Sequence, residues 1–90
     1  SDIFGRIGGE EFSILLQDTS IEGAKLFAER IIKNVEAMHI VSANEVIKIT
    51  VSIGLVTLTD EENIHELLKK ADEALYKAKA SGRNKYIYMN

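Results

Sequence analysis

The sequence predicts an α+β fold, in which an antiparallel-rich sheet carries two long helices packed on it. Two short apolar runs around a Gly-Gly pair near the N-terminus indicate a β-hairpin. Two later segments repeat apolar residues at three- and four-residue spacings, which is typical of amphipathic helices. An alternating apolar run follows each helix, so the predicted element order is β-hairpin, α, β, α, β.

The composition limits the class of protein. Ninety residues with 46% hydrophobic content support one small domain with a single core. The chain has no cysteine, which excludes disulfides and thiolate zinc sites. A net charge of −3 argues against a nucleic-acid-binding surface, and no apolar run reaches the roughly 20 residues of a membrane helix. We expect a cytoplasmic domain, an expectation that leaves open a membrane anchor elsewhere in a longer protein.

The predicted hairpin joins apolar runs at residues 3–7 and 12–16. The glycines between them predict a tight primed turn, because such turns need positive φ. Glu10 and Glu11 then lie at the tip, where two repelling carboxylates are either solvated or bound to a cation such as Mg²⁺. From this motif alone, a solvated tip is favoured by roughly three to one. Almost nothing precedes the first run, so we expect strand partners upstream and a fragment of a larger domain.

The first helix is predicted to begin at a capping box of Thr19 and Glu22 and to run for roughly 18–20 residues. Its predicted apolar face consists of Ala24, Phe27, Ala28, Ile31, Val35 and Met38. Residues 39–44 are predicted to be a connector. His39, and His65 in the next helix, have no neighbouring ligand set, so we assign neither a catalytic nor a metal role.

A single long strand is predicted at residues 46–57, with one fully apolar face. Gly54 in its interior has two interpretations of equal weight: another backbone or a ligand approaches closely, or the strand bulges or ends there. The second helix is predicted to begin at Asn63 and to end at Gly82, and a last strand follows at 85–89. The predicted buried face of this helix is Ile64, Leu67, Leu68, Ala71, Ala74, Leu75 and Ala78.

A second stripe lies beside that face and consists of Asp72, Tyr76, Lys79 and Arg83. Lys79 and Arg83 could hold phosphate oxygens. By themselves, however, they are more simply explained as charges that complement the helix dipole.

Three motifs in order change this interpretation: RIGGEEF at 6–12, TVSIG at 50–54 and ADEALYKAKASGRN at 71–84. Together they resemble the GGDEF family, the diguanylate cyclase catalytic domain, in its GGEEF variant. The resemblance covers essentially all 90 residues and implies that 1–90 is the C-terminal part of a single GGDEF domain whose N-terminal part is absent. It implies a homodimer that condenses two GTP molecules into cyclic di-GMP, with Mg²⁺ or Mn²⁺ as cofactor.

The resemblance also implies residue roles. Glu10 ligates the metal and helps to activate the attacking hydroxyl, and Glu11 supports the metal or the substrate. Substrate-binding roles fall on Gly8, Gly9, Lys79 and Arg83. Asp2 lies where the family's inhibitory product site has its aspartate, although the accompanying arginine would precede residue 1. An ordinary turn residue is the alternative for Asp2.

Three functional hypotheses follow. The first is an active cyclase in the intact protein, with the isolated fragment inactive because a metal aspartate and the guanine contacts would lie upstream. The second is a degenerate module that binds GTP or cyclic di-GMP without catalysis. The third is a folded remnant whose exposed sheet edge pairs with another copy.

Overall fold

The computed structural model describes residues 2–9, 11–59 and 63–90. The strands and helices occur in the order β1 (Asp2–Gly8), β2 (Phe12–Leu16), α1 (Ile21–Glu36), β3 (His39–Ser42), β4 (Glu45–Lys48), β5 (Ser52–Leu58), α2 (Ile64–Ala80) and β6 (Tyr86–Met89). The predicted α+β class, the N-terminal hairpin and both helices are confirmed. Within the described part of the chain, no helix has the length and apolarity to cross a membrane.

The main sheet has four strands in the order β2-β1-β5-β6. Strand β1 pairs antiparallel with β2 and with β5, whereas β5 and β6 are parallel. A parallel pair needs a crossover connection, and α2 supplies it between β5 and β6. This topology places the turn after β1, the start of β5 and the C-terminal end of α2 at the same end of the sheet.

The two helices cover opposite faces of this sheet, because side chains alternate along each strand. Ile3, Ile53 and Leu55 pack with α1 in one buried cluster. Phe4 and Val56 pack with Leu67 and Ala71 of α2 in another. Strand β5 is therefore buried on both faces, and the prediction of a single apolar face was wrong.

The long predicted strand at 46–57 is in fact two strands that belong to different sheets. Its first part is β4, which pairs with β3 in a separate hairpin where a connector was predicted. Ala43 and Asn44 form the two-residue loop with φ of 51° and 68°, the positive values that a type I′ turn requires. The apolar side chains of this hairpin are exposed: Ile40, Val41, Val46 and Ile47.

Helix α1 begins one residue later than predicted. Ser20 is its N-cap, and the Ser20 hydroxyl accepts a hydrogen bond of 3.0 Å from the backbone N–H of Gly23. Thr19 instead donates to the Gln17 carbonyl. The helix has 16 residues and contacts the sheet through Ala24, Ala28 and Ile32.

Three residues predicted for the buried helix faces are exposed: Phe27, Met38 and Ile64. In α1 the buried stripe follows the four-residue spacing of Ala24, Ala28 and Ile32, which turns Phe27 outward. Met38 lies past the end of α1, and Ile64 lies in the first turn of α2 ahead of its first buried residue, Leu67.

Helix α2 begins and ends as predicted. The Asn63 side chain accepts from the Glu66 backbone N–H at 2.9 Å. At the other end Gly82 has a φ of 121°, and the Arg83 backbone N–H donates to the Ala78 carbonyl at 2.9 Å. This pairing is a Schellman motif, which ends the helix and reverses the chain toward β6.

Candidate functional site at the turn after β1

Gly8 is the last residue of β1 and lies against α2. A Cβ at this position would come within 2.7 Å of Cε of Lys79 and 3.1 Å of Cδ1 of Leu75. Neither Gly8 nor Gly9 has positive φ, and four residues separate the paired Ile7 and Phe12. The predicted tight primed turn was therefore wrong. The missing side chain of Gly8 serves instead to make room for Lys79.

Lys79 reaches across that gap to the turn. Its Nζ lies 2.9 Å from Oε1 of Glu11 and donates a hydrogen bond to it. This hydrogen bond, with contributions from the Glu11 backbone N–H and the charges of Lys79 and Arg6, lowers the pKa of Glu11 below its ordinary value of 4.5. Glu11 is therefore ionised at neutral pH while its side chain stays 45% exposed, so ligands in solution can reach it.

A second ion pair links β1 to α2 two residues before Gly8. Arg6 Nε lies 3.0 Å from Oδ1 of Asp72, and its Nη1 donates to Ser13 Oγ at 2.7 Å. The Nε atom is shielded from solvent but is not aligned for a hydrogen bond to Asp72, so this contact is electrostatic. Arg6 thus connects β1, β2 and α2 around the base of the turn.

Gly54 explains how α2 comes this close to the sheet. A Cβ on Gly54 would lie 2.4 Å from the Leu75 backbone N and 2.5 Å from the Ala71 carbonyl oxygen. Of the two interpretations of this glycine, the close approach of another backbone is the correct one. Since Gly54 pairs with Arg6 in the sheet, this contact lies directly beside the Arg6–Asp72 pair.

The remaining predicted site residues are placed as follows. Gly9 is exposed, and a Cβ there would have no atom within 4 Å among its neighbours. Arg83 is exposed just past the end of α2, with a φ of 60°. Glu10, the predicted metal ligand, lies outside the described residues.

Asp2 lies at the opposite end of β1. Its Oδ1 accepts a hydrogen bond of 2.9 Å from the backbone N–H of Asp18, which has a φ of 50°. Seven strand residues put Asp2 roughly 20 Å from Gly8. Asp2 therefore supports the turn before α1, and it is not part of the group around Lys79.

A hard cation is compatible with the donor chemistry of this turn. Glu11 offers an ionised, accessible carboxylate, which Mg²⁺ and Mn²⁺ accept as an oxygen ligand. Within residues 2–9, 11–59 and 63–90, no group of three or more His, Cys, Asp or Glu side chains could hold a metal. The described residues therefore supply Glu11 as one candidate ligand, already paired with Lys79.

Sequence reasoning missed the pairing of Arg6 with Asp72. A signal for it was present, since Arg6 and Gly8 share one face of β1 while Asp72 and Lys79 lie two turns apart on one side of α2. Matching these two spacings requires knowing that α2 crosses the sheet over β1 and β5.

Comparison with known proteins gives the family. A family model described as diguanylate cyclase, GGDEF domain, matches residues 1–85. The chain is 46% identical over 89 residues to the probable diguanylate cyclase DgcT of Escherichia coli, covering 96% of this chain and 20% of that protein. It is 42% identical over 89 residues to the response regulator PleD of Caulobacter vibrioides, with coverages of 96% and 20%. The chain spans about one fifth of the length of these relatives.

Two solved structures share the fold. The diguanylate cyclase SiaD of Pseudomonas aeruginosa, in complex with its activator SiaC, superimposes with a TM-score of 0.83 at 34% identity, covering 98% of this chain and 34% of that chain. The GGDEF domain of DgcB from Caulobacter crescentus, in complex with c-di-GMP, gives 0.83 at 31% identity, with coverages of 90% and 49%.

Proposed function

Because this chain belongs to the GGDEF family of diguanylate cyclase domains, we propose that it is the C-terminal part of a catalytic domain that condenses two GTP molecules into cyclic di-GMP. The observation that carries the proposal is the contact between Lys79 and Glu11. It joins an acidic turn to a basic helix end, and a metal-bound triphosphate needs charges of both signs.

The proposed roles follow this geometry. Lys79 and Arg83 bind phosphate oxygens, and exposed Gly9 lets the nucleotide lie against the backbone of the turn. Glu10 and Glu11 would hold Mg²⁺ or Mn²⁺, an ion that neutralises phosphate charge when bound. When a triphosphate enters, Lys79 exchanges its contact with Glu11 for one with phosphate, which leaves the Glu11 carboxylate available to the ion.

The reaction joins two nucleotides, so we propose that two copies of the domain face each other, each holding one GTP. The 3′-hydroxyl of each GTP attacks the α-phosphorus of the other, so that two P–O bonds form, two pyrophosphates leave, and each hydroxyl gives up its proton to a base or to solvent. GTP is a cytoplasmic nucleotide, so we propose that the domain works in the cytoplasm.

A second candidate is a module that binds cyclic di-GMP without turnover. It is favoured by the cyclic dinucleotide bound to the GGDEF domain of DgcB. In this candidate, Asp2 belongs to an inhibitory product site, where its carboxylate also accepts the hydrogen bond from the Asp18 backbone N–H.

The test is cyclic di-GMP formation from GTP and Mg²⁺ by the full-length protein, followed by chromatography. Glu10→Ala should abolish product, whereas Glu45→Ala, at an exposed position on β4, should leave it unchanged. Binding of cyclic di-GMP with no turnover by the unmodified protein would favour the second candidate. The 90-residue chain alone is expected to be inactive, and product above its own Glu10→Ala control would contradict that expectation.

A further inference from the structure

Besides the apolar packing of Phe4 on Leu67 and Ala71, two polar or close contacts hold α2 against β1. The first is the Arg6–Asp72 ion pair, beside the backbone contact at Gly54. The second is the contact of Lys79 with Gly8 and Glu11. Burial of apolar side chains sets the overall placement of α2 on the sheet, and these two polar contacts act at the edge of that buried face.

The spacing of the two points matches the geometry of the elements. Seven residues from Asp72 to Lys79 are two helical turns, or roughly 10 Å of rise. Arg6 and Gly8 are two residues apart on the same face of β1, or roughly 7 Å. The flexible Lys79 side chain spans the difference between these two lengths. A small shift of α2 at Asp72 therefore changes where the Lys79 ammonium group meets the turn.

Arg6 is well suited to hold the first point. Its side chain is only 23% exposed, and Ser13 fixes its guanidinium from β2 while Asp72 contacts it from α2. Asp72 is 51% exposed and is the one acidic side chain within ion-pair distance of Arg6 among the described residues. Removing its charge releases α2 from Arg6, whose guanidinium keeps its hydrogen bond to Ser13.

We propose that Asp72 is a positioning residue: through Arg6 it refines the rotation that apolar packing gives α2, and thereby the place at which Lys79 meets the triphosphate. This inference rests on the proposed function and adds a residue that does not touch the substrate. A half-exposed ion pair contributes little to stability, but small misplacements at a reacting centre cost activity strongly. Loss of the pair should therefore affect nucleotide binding far more than folding.

The experiment compares Asp72→Asn with Glu73→Gln in the full-length protein. Glu73 is the neighbouring exposed acid, so its variant removes the same charge from α2 without touching Arg6. A fluorescent GTP analogue measures affinity in Mg²⁺ buffer, and product formation gives kcat and KM. We expect Asp72→Asn to raise both Kd and KM about threefold to tenfold with a smaller change in kcat, and Asp72→Glu to recover part of the loss.

Two outcomes would overturn the inference. One is equal affinity in Asp72→Asn and Glu73→Gln. The other is a drop in melting temperature of Asp72→Asn large enough to account for the loss, which would make the role purely structural. If the unmodified protein binds the analogue without forming product, the proposed cyclase activity fails, and the affinity comparison still decides the role of Asp72.

Discussion

The ammonium group of Lys79 lies 2.9 Å from a carboxylate oxygen of Glu11, although 68 residues separate them in the chain. The contact connects the C-terminal end of α2 to the turn after β1. It passes over Gly8, where a side chain would collide with the lysine stem. The contact between Lys79 and Glu11 therefore depends on glycine at position 8.

The protonation of Glu11 should depend on Lys79. The pKa of Glu11 is lowered mainly by the hydrogen bond from Lys79, with a smaller contribution from Arg6. A carboxyl group whose folded pKa is depressed stabilises the fold above its unfolded pKa, and this contribution is lost as pH falls through the folded value. In an NMR titration below pH 6, Lys79→Met should raise the pKa of Glu11. An unchanged pKa would show that the pair does not persist in solution.

Lys79 should matter for activity where other lysines of the same helix do not. Replacing Lys79 with Met removes a phosphate contact, and loss of one such electrostatic contact typically costs 10²- to 10³-fold in turnover. Lys77→Met, which changes an exposed lysine two residues earlier, is the matched control. Steady-state formation of cyclic di-GMP by the full-length protein measures both variants. Equal activities would remove Lys79 from the proposed site.

Gly54 should be intolerant of any side chain. An added methyl group would meet three backbone atoms of α2 at 2.9 Å or less, and a helix backbone cannot move aside as a side chain can. We expect Gly54→Ala to lower the free energy of unfolding by about 2–4 kcal/mol. Gly9→Ala is the control, because its added Cβ meets no atom within 4 Å, and its effect should stay within about 0.5 kcal/mol. Urea unfolding of both variants decides the matter, and similar midpoints would contradict this packing.

The start of α1 offers a test of the corrected cap. Ser20→Ala should destabilise the fold by about 1 kcal/mol, because the Gly23 N–H loses its acceptor. Thr19→Ala should cost less, since the threonine hydroxyl only donates to a turn carbonyl. Both changes can be followed by urea unfolding. If Thr19 proved the more costly loss, the cap would lie where the capping-box motif suggested.

Much of the fold could be predicted because the responsible signals are local. The cap at Asn63 involves a residue three positions away, and the glycine that ends α2 acts within one turn. The failures arose where a local pattern continued across a structural break. Apolar alternation runs in phase from β4 into β5, so the two strands read as one. The β3–β4 turn was missed because alanine at positive φ is not a usual turn signal.

The candidate site divides in the same way. The sequence by itself determined which residues are available: the acidic turn, the basic helix end and the three ordered motifs that identify the family. Tertiary structure alone decided that Lys79 meets Glu11, that Arg6 holds Asp72, and that Gly54 admits a helix backbone. The physical reason is that these contacts depend on how α2 lies across β1 and β5. That placement follows from burying apolar surface over the whole domain, which no short stretch of sequence specifies.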